Sequence, residues 1–215
     1  MKVAAISDTH GRQNWEIPSC DVFIHAGDMT AQGSLHETAV FAARLRKAME
    51  CAGGPAHAII VPGNHDECFE TWPEAASELF GENVHVLQDK PLVLDGITFY
   101  GSPWTPPFML WHFMAEESRL AMLYRNMPAA VDVLVTHGPP YGVLDPGWKE
   151  PHAGSTALAQ AIGEREVGHH VFGHLHGAGG RMIQKGNTIF YNVAACDEGY
   201  RLINPPREFE VRTGV

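Results

Sequence analysis

The chain has 215 residues and a formal net charge of −10, with 45% hydrophobic and 19% charged residues. This length fits a single domain over residues 1–215 with one buried core, and the composition excludes a disordered or fibrous protein. The acidic balance excludes a general binder of large nucleic acids, which needs clustered Lys and Arg. A small anionic substrate remains compatible, because bound divalent cations reverse the charge of an acidic pocket.

No segment indicates export or a membrane span. The N-terminus, MKVAAISDTHG, passes from a short apolar run straight into polar residues, unlike a signal peptide. No stretch approaches the roughly 18 apolar residues of a membrane span. The four cysteines lack CxxC spacing, which suits buried thiols in a reducing compartment. We therefore expect a cytoplasmic protein without membrane contact, with a homodimer among the options for its oligomeric state.

Five apolar runs rich in Val, Ile and Phe predict strands that are buried on both faces. In chain order they read VAAIS, DVFIHAGD, AIIVPGNHD, VDVLVTHGPP and HHVFGHLHG. Helical patterns lie between them: one begins at Ser34, which forms a capping-box pair with Glu37, and another starts near Ser155. This alternation predicts a largely parallel sheet of βαβ units.

The segments VHVLQD, PLVLDGITFYGS and RMIQKGNTIFYNVAA alternate more strictly between apolar and polar residues. Turn residues such as Asp95-Gly96 and Gly186-Asn187 separate them, as in hairpins. They predict a second, more antiparallel sheet packed on the first. Residues 102–115, SPWTPPFMLWHFMA, combine prolines with large aromatic residues and predict an ordered loop.

Each of the five apolar runs ends in residues that can bind metal. Because the carboxyl ends of parallel strands converge on one crevice, we expect these residues to meet at one site. Imidazole and carboxylate ligands without thiolate suit Mn, Fe, Zn, Co or Ni rather than Ca or Mg alone. Seven candidates are too many for one tetrahedral ion and suit two ions that share a carboxylate, for which Asp28 is the natural bridge. The candidates are Asp8, His10, Asp28, Asn64, His137, His174 and His176.

The spacing within two of the motifs predicts shared coordination. In Asp8-x-His10 and in His174-x-His176, an extended chain places both side chains on one face, able to share one metal. A lone His after an apolar run is more often structural than a ligand. The candidates taken jointly, each at a predicted strand end, favour metal binding.

In this order, the blocks DTH, GD, GNHD, THG and GHLH resemble the five signature blocks of the calcineurin-like metallophosphoesterase superfamily. The resemblance implies an α/β fold, a βαββ sandwich of two mixed sheets flanked by helices, with the active site at the carboxyl ends of the strands. It implies that His65 faces the scissile phosphate without binding metal. It also implies one ion held by Asp8, His10, Asp28 and His176, and a second held by Asp28, Asn64, His137 and His174.

Further stretches resemble the metallophosphoesterase-domain-containing branch of this superfamily over almost the full chain: HAGDMT, YGSPWTP, THGPPYGVLD, VFGHLHGAGG and INPP. That branch is associated with cyclic-nucleotide phosphodiesterase activity. Protein Ser/Thr phosphatases instead continue their blocks as GDxVDRG and GNHE, where this chain has GDMTAQG and GNHD. Some branch members carry Gly at the position of His174. This chain has the histidine, so we expect both metal sites to be complete.

We therefore expect a dinuclear metal-dependent phosphodiesterase that hydrolyses small phosphodiesters, with cyclic nucleotides as the leading substrates and Mn as the leading ion. A hydroxide bridging two divalent ions is the expected nucleophile, since the pKa of such a water falls to about 7. His65 would bind a phosphoryl oxygen or protonate the leaving group, and Asp66 would set the tautomer of His65. Two alternatives remain: a phosphomonoesterase with the same residues, and a non-catalytic metal-binding scaffold.

Four further residues are candidate substrate contacts. Arg12 follows the first motif and suits a phosphate contact, but it equally suits an ion pair with a surface carboxylate. Trp104, Phe108 and Trp111 suit stacking on a nucleobase, with core packing or a subunit contact as the alternative.

Overall fold

The computed structural model describes residues 1–147 and 150–212, in which strands and helices alternate over most of the length. No helix in these ranges is both long and apolar enough to cross a membrane. The elements in chain order are β1 (Lys2–Ile6), β2 (Val22–His25), α1 (Leu35–Met49), β3 (His57–Ile60), α2 (Cys68–Thr71), α3 (Pro73–Glu78), β4 (Val84–Val86), β5 (Lys90–Leu94), β6 (Ile97–Ser102), α4 (Glu117–Tyr124), β7 (Ala130–Thr136), α5 (Thr156–Gly163), β8 (Glu166–Phe172), a 3-10 turn (His176–Ala178), β9 (Met182–Lys185), β10 (Thr188–Asn192) and β11 (Arg207–Glu210).

Two mixed sheets flanked by helices confirm the predicted fold class. The first has the order β11-β1-β2-β3-β4, with β1 to β4 parallel and β11 antiparallel at the edge. The second has the order β5-β6-β7-β8-β10-β9. Its four central strands are parallel, and only the edge strands β5 and β9 are antiparallel. The prediction of a more antiparallel second sheet was therefore right for its edges and wrong for its centre.

Side-chain alternation along the strands explains how both faces of each sheet are buried. On β1, Val3 points between the sheets and packs in one cluster with Val133 of β7. Ile6, three residues further along β1, faces outward and packs with Leu45 of α1. The outer face of the second sheet packs in the same way on α4 and α5 and includes the fully buried Tyr100 of β6. Each such buried side chain contributes roughly 1.5–3 kcal/mol of hydrophobic stabilisation.

Local signals set the ends of the elements as predicted. The Ser34 side chain accepts a hydrogen bond from the Glu37 N–H, and Glu37 accepts one from the Ser34 N–H, which completes the capping box of α1. Ser155 caps α5 through its side chain. In the hairpin between β5 and β6, Asp95 and Gly96 both adopt left-handed backbone, as a type I′ turn requires.

The strand ends converge at one side of the sandwich, but they come from two sheets. The first three predicted runs became β1, β2 and β3 of the first sheet, whereas VDVLVT and HHVF became β7 and β8 of the second. A bridge between Ser7 and Ala194 joins the sheets beside this point. The loops that carry the predicted ligands therefore meet where the two sheets come together.

Candidate active site

Three of the predicted ligands form a first cluster. Ligand atoms of Asp8, His10 and His176 all lie within 4.8 Å of one another. Nε2 of His176 lies 3.2 Å from Nε2 of His10 and 3.3 Å from Oδ1 of Asp8. Asp28 approaches the same point, with Oδ2 at 3.9 Å from His10 Nε2. Two carboxylates and two imidazoles around one point suit a divalent transition-metal ion.

A second cluster adjoins the first and shares Asp28 with it. Nε2 of His137 lies 2.9 Å from Oδ1 of Asn64 and 3.4 Å from Oδ1 of Asp28. The His174 ring packs edge-on against His137, with 5.0 Å between the ring centroids. Asp28 therefore turns one oxygen toward each cluster, which is the arrangement of a carboxylate that bridges two ions.

Left-handed backbone brings several of these side chains inward. The φ angles are 53° at Asp8, 44° at His10, 55° at Asp28 and 66° at His174, and strain of this kind costs about 1–3 kcal/mol per residue and concentrates at functional sites. The prediction from extended spacing was thus wrong in geometry. Asp8 and His10 converge through a left-handed turn. His174 and His176 part toward different clusters, because His174 turns left-handed and His176 begins the 3-10 turn.

Backbone carbonyls orient two of the histidines toward the clusters. Nδ1 of His137 lies 3.0 Å from the Ala26 carbonyl oxygen, and Nδ1 of His176 lies 2.9 Å from that of Asp197. A carbonyl can only accept, so Nδ1 carries a proton in both rings, and Nε2 faces the cluster, where its lone pair would be available to a metal ion. Such support from a neighbouring group is typical of metal-binding histidines.

The charges of the pocket fit divalent cations. Asp8 and Asp28 are buried together, and buried carboxylates are costly unless they are paired or bind metal. Although burial opposes protonation of His137, the Asp28 carboxylate raises its pKa to about 9. Nδ1 of His10 is buried with no hydrogen-bond partner among the described residues, so the polar contacts of this ring are made by Nε2. The donor set and the demand for positive charge both fit divalent metal ions.

Two glycines leave room for the carboxylates. A Cβ at Gly63 would collide with Oδ1 of Asp28, and a Cβ at Gly173 would collide with Oδ2 of Asp8 and the hydroxyl of Ser7. The Ser7 hydroxyl donates to Asp8 Oδ2 at 2.5 Å. Any larger residue at either position would displace a candidate ligand.

His65 stands beside the first cluster, with one ring nitrogen within 4.8 Å of ligand atoms of His10 and Asp28. Its ring lies 4.7 Å from that of His10, edge to face. Nδ1 of His65 donates to the Ala31 carbonyl oxygen at 2.9 Å, which leaves Nε2 as the free ring nitrogen. The backbone N–H of His65 donates to Asp28 Oδ1 at 2.8 Å, so the residue is anchored to the shared carboxylate.

The prediction that Asp66 sets the tautomer of His65 was wrong. Asp66 is fully buried and accepts hydrogen bonds from the backbone of Thr30 at 3.0 Å and of Gly63 at 2.8 Å. It also accepts one from the Thr30 hydroxyl at 2.6 Å. These bonds link the loop that carries Asp28 to the loop that carries His65. The side chains of His65 and Asp66 point apart, and the Ala31 carbonyl sets the tautomer of His65 instead.

The aromatic residues of the loop at 102–115 divide into two classes. Trp111 lies on His65, with 4.1 Å between the ring centroids. The ring centroid of Phe108 lies 6.2 Å from that of His174. Both remain accessible, with 36% and 47% exposure. Trp104 does not reach the site: its Nε1 donates to Asp89 at 2.7 Å, and its ring packs with the core. The prediction of a substrate contact was therefore wrong for Trp104, and it stays a prediction for the other two.

Arg12 is exposed and lies beside the Cys196 thiol. No carboxylate among the described residues lies within 4 Å of its guanidinium, which removes the ion-pair alternative. Its contact with substrate stays a prediction.

Two residues contribute to the site although no sequence motif includes them. Asp197 contributes its backbone carbonyl, and the ring of Tyr200 packs on His10 and His176.

Comparisons with known proteins agree with this geometry. A family model described as calcineurin-like phosphoesterase matches residues 1–178. A UPF0046 protein of Caenorhabditis elegans is 32% identical over 98% of this chain and 75% of its own length. Metallophosphoesterase domain-containing protein 1 of Homo sapiens is 31% identical over 99% of this chain and 71% of its own. Phosphopantetheinyl Hydrolase from Mycobacterium tuberculosis has a similar fold, with a TM-score of 0.60, 17% identity, and coverage of 93% of this chain and 90% of that one.

Proposed function

Because the chain belongs to the calcineurin-like phosphoesterase family, we propose that it is a phosphodiesterase that uses two divalent metal ions, with Mn as the leading ion and cyclic nucleotides as the leading substrates. The observation that carries the proposal is the placement of Asp28, with one oxygen toward each ligand cluster and His65 bound to it through the backbone. When bound, the ions would supply Lewis-acid activation of water and of the phosphoryl oxygens.

The seven candidate ligands would divide between the two ions according to the clusters. Asp28 would serve both ions, and the backbone carbonyls behind His137 and His176 turn Nε2 of each ring inward. Asp8, His10, Asp28 and His176 would hold the first ion, and Asp28, Asn64, His137 and His174 would hold the second.

His65 would act on the ester itself. Its Nδ1 proton is committed to the Ala31 carbonyl, so Nε2 is the atom that meets substrate. When Nε2 also carries a proton, it can donate a hydrogen bond to a phosphoryl oxygen or transfer that proton to the departing alkoxide. Its position against His10 keeps it next to the first cluster without consuming its free nitrogen.

The preference for nucleotides rests on Phe108 and Trp111. The two exposed rings stand beside His174 and His65, one near each cluster, so a planar group attached to a phosphate at the centre could stack on them. Stacking of a base on an aromatic side chain contributes about 1–3 kcal/mol. Net charge does not oppose this substrate, because the ions would reverse the sign of the pocket.

The test is hydrolysis of bis-p-nitrophenyl phosphate and p-nitrophenyl phosphate by the Mn-loaded protein, followed by 2′,3′- and 3′,5′-cyclic AMP. We expect faster turnover of the diester than of the monoester, and loss of both in the Asp28→Asn variant. Hydrolysis of the monoester alone would replace the proposal with a phosphomonoesterase. No turnover of any ester would favour a non-catalytic scaffold.

A further inference from the structure

Tyr200 lies against the first cluster although no sequence motif includes it. Its ring is edge-on to His10, with 4.8 Å between centroids and 72° between planes, and to His176, with 5.5 Å and 82°. The residue is 43% exposed, so its side chain is open to a molecule that enters the site. His65 packs on the same His10 ring at 4.7 Å, so Tyr200 and His65 both flank one candidate ligand.

A tight turn places Tyr200 there. Its φ of 58° is left-handed, a conformation that a tyrosine adopts only where its surroundings impose it. The N–H of Tyr200 donates to the Asp197 carbonyl oxygen at 2.9 Å. The same carbonyl accepts from Nδ1 of His176 at 2.9 Å. One backbone oxygen therefore positions both the tyrosine and a candidate metal ligand.

The Asp197 side chain closes this turn. Its Oδ1 accepts from the backbone N–H groups of Gly199 at 3.0 Å and Arg201 at 2.9 Å. Its Oδ2 accepts from Nε of Arg201 at 2.8 Å and lies 2.6 Å from a terminal guanidinium nitrogen of Arg201. Both guanidinium nitrogens therefore contact one carboxylate oxygen, while the other oxygen holds the backbone of the turn, so the Asp197 side chain links the Arg201 side chain to the turn. Because the Arg201 side chain is 80% exposed, the contact orders the turn more than it stabilises the fold.

We propose that Tyr200 is a substrate-binding residue whose hydroxyl donates a hydrogen bond to a phosphoryl oxygen of the bound ester, and that the Asp197–Arg201 pair positions it. The inference rests on the proposed function of the site. A phenol keeps its proton at neutral pH and therefore acts as a donor. With His65 on the other side of His10, two donors would approach the phosphoryl group from different directions.

The test compares Tyr200→Phe with Tyr141→Phe. Tyr141 is a matched control, since it is 47% exposed and its ring lies 4.8 Å from that of His152, tilted by 51°, and His152 is not a candidate ligand. We expect Tyr200→Phe to keep its metal content and to lower kcat/KM for bis-p-nitrophenyl phosphate by roughly tenfold to a hundredfold, the range for a hydrogen bond to a charged group. Calorimetric affinity of the Mn-loaded protein for inorganic phosphate should fall by a similar factor. Tyr141→Phe should match the wild type in both measurements.

The positioning role has its own readout. Arg201→Gln should also lower phosphate affinity. The double variant Arg201→Gln with Tyr200→Phe should bind phosphate no less tightly than the weaker-binding of the two single variants, because Arg201 acts through Tyr200. Additive losses would overturn that role.

The hydroxyl role would be overturned if Tyr200→Phe kept wild-type kcat/KM and phosphate affinity, or if it lost metal. A wild-type protein that bound phosphate but hydrolysed no ester would overturn the proposed function alone, and the phosphate titration would still decide on Tyr200. A wild-type protein that neither bound phosphate nor hydrolysed any ester would overturn both.

Discussion

Replacing the loop aromatics one at a time should separate substrate contacts from core packing. Trp111 lies on His65 and Phe108 beside His174, whereas Trp104 is hydrogen-bonded to Asp89. We therefore expect Trp111→Ala and Phe108→Ala to raise KM for a cyclic nucleotide with little effect on kcat, because they remove binding that substrate and transition state share. Trp104→Phe should instead lower the free energy of unfolding and leave KM unchanged.

The magnitudes follow from the contacts. A stacked base contributes about 1–3 kcal/mol, which corresponds to roughly a fivefold to 150-fold change in KM. Trp111 is closer to its histidine, at 4.1 Å against 6.2 Å for Phe108, so we expect it to have the larger effect. For Trp104→Phe, the Asp89 carboxylate loses one donor at 2.7 Å and retains the Ser102 hydroxyl at 2.8 Å. An unsatisfied buried acceptor costs about 1–3 kcal/mol, and because Asp89 is only partly buried we expect a loss at the lower end of that range.

Steady-state kinetics on a cyclic nucleotide and on a simple aryl phosphodiester, together with urea unfolding, would measure these effects. The aryl diester is the internal control, since it lacks a nucleobase and should be nearly unaffected. The reasoning fails if Trp104→Phe changes nucleotide KM at unchanged stability. It also fails if Trp111→Ala and Phe108→Ala change only stability or solution mass, in which case the loop would serve packing or a subunit contact.

Three further substitutions test the centre of the site. Asp28→Asn should lose both metal ions, because each cluster loses a charged oxygen, and metal analysis that still found two tightly bound ions would contradict the bridge. His65→Ala should keep its metal and lose turnover by roughly 10²-fold to 10⁴-fold, with a smaller loss for esters with good leaving groups; an equal loss across leaving groups would point to phosphoryl-oxygen binding instead. Asp66→Ala should lower the free energy of unfolding by roughly 3–5 kcal/mol, since the buried N–H groups of Thr30 and Gly63 lose their acceptor, and wild-type stability in urea would refute this role.

The sequence predicted the strands better than it predicted the sheets that they form. A run such as VDVLVT is buried on both faces in either sheet, so its composition does not reveal which partner strands it joins. Pairing between distant segments decided that, and β7 and β8 joined the second sheet. The ligand prediction did not depend on this choice, because the parallel strands of both sheets end at the same side.

Contacts between distant residues account for the other errors. Asp66 adjoins His65 in the chain, yet the ring bonds Ala31, which lies 34 residues earlier. Trp104 and Trp111 are the same residue type in the same loop. Trp104 is hydrogen-bonded to Asp89 and Trp111 lies on His65, a difference that only the folded structure shows. Periodicity and motif spacing carry no information on such choices.

The backbone carbonyls of Ala26, Ala31 and Asp197 hold the Nδ1 atoms of His137, His65 and His176. Because the main chain supplies these oxygens, side-chain substitution leaves the acceptors in place, and an alanine scan would not detect their part in orienting the site. A side-chain change at residue 31, which is only partly buried, would leave the ring of His65 its acceptor. Replacing the peptide bond that follows each of these residues with an ester would weaken its carbonyl as an acceptor. Such a backbone substitution would test the hydrogen bonds that side-chain mutations leave unchanged.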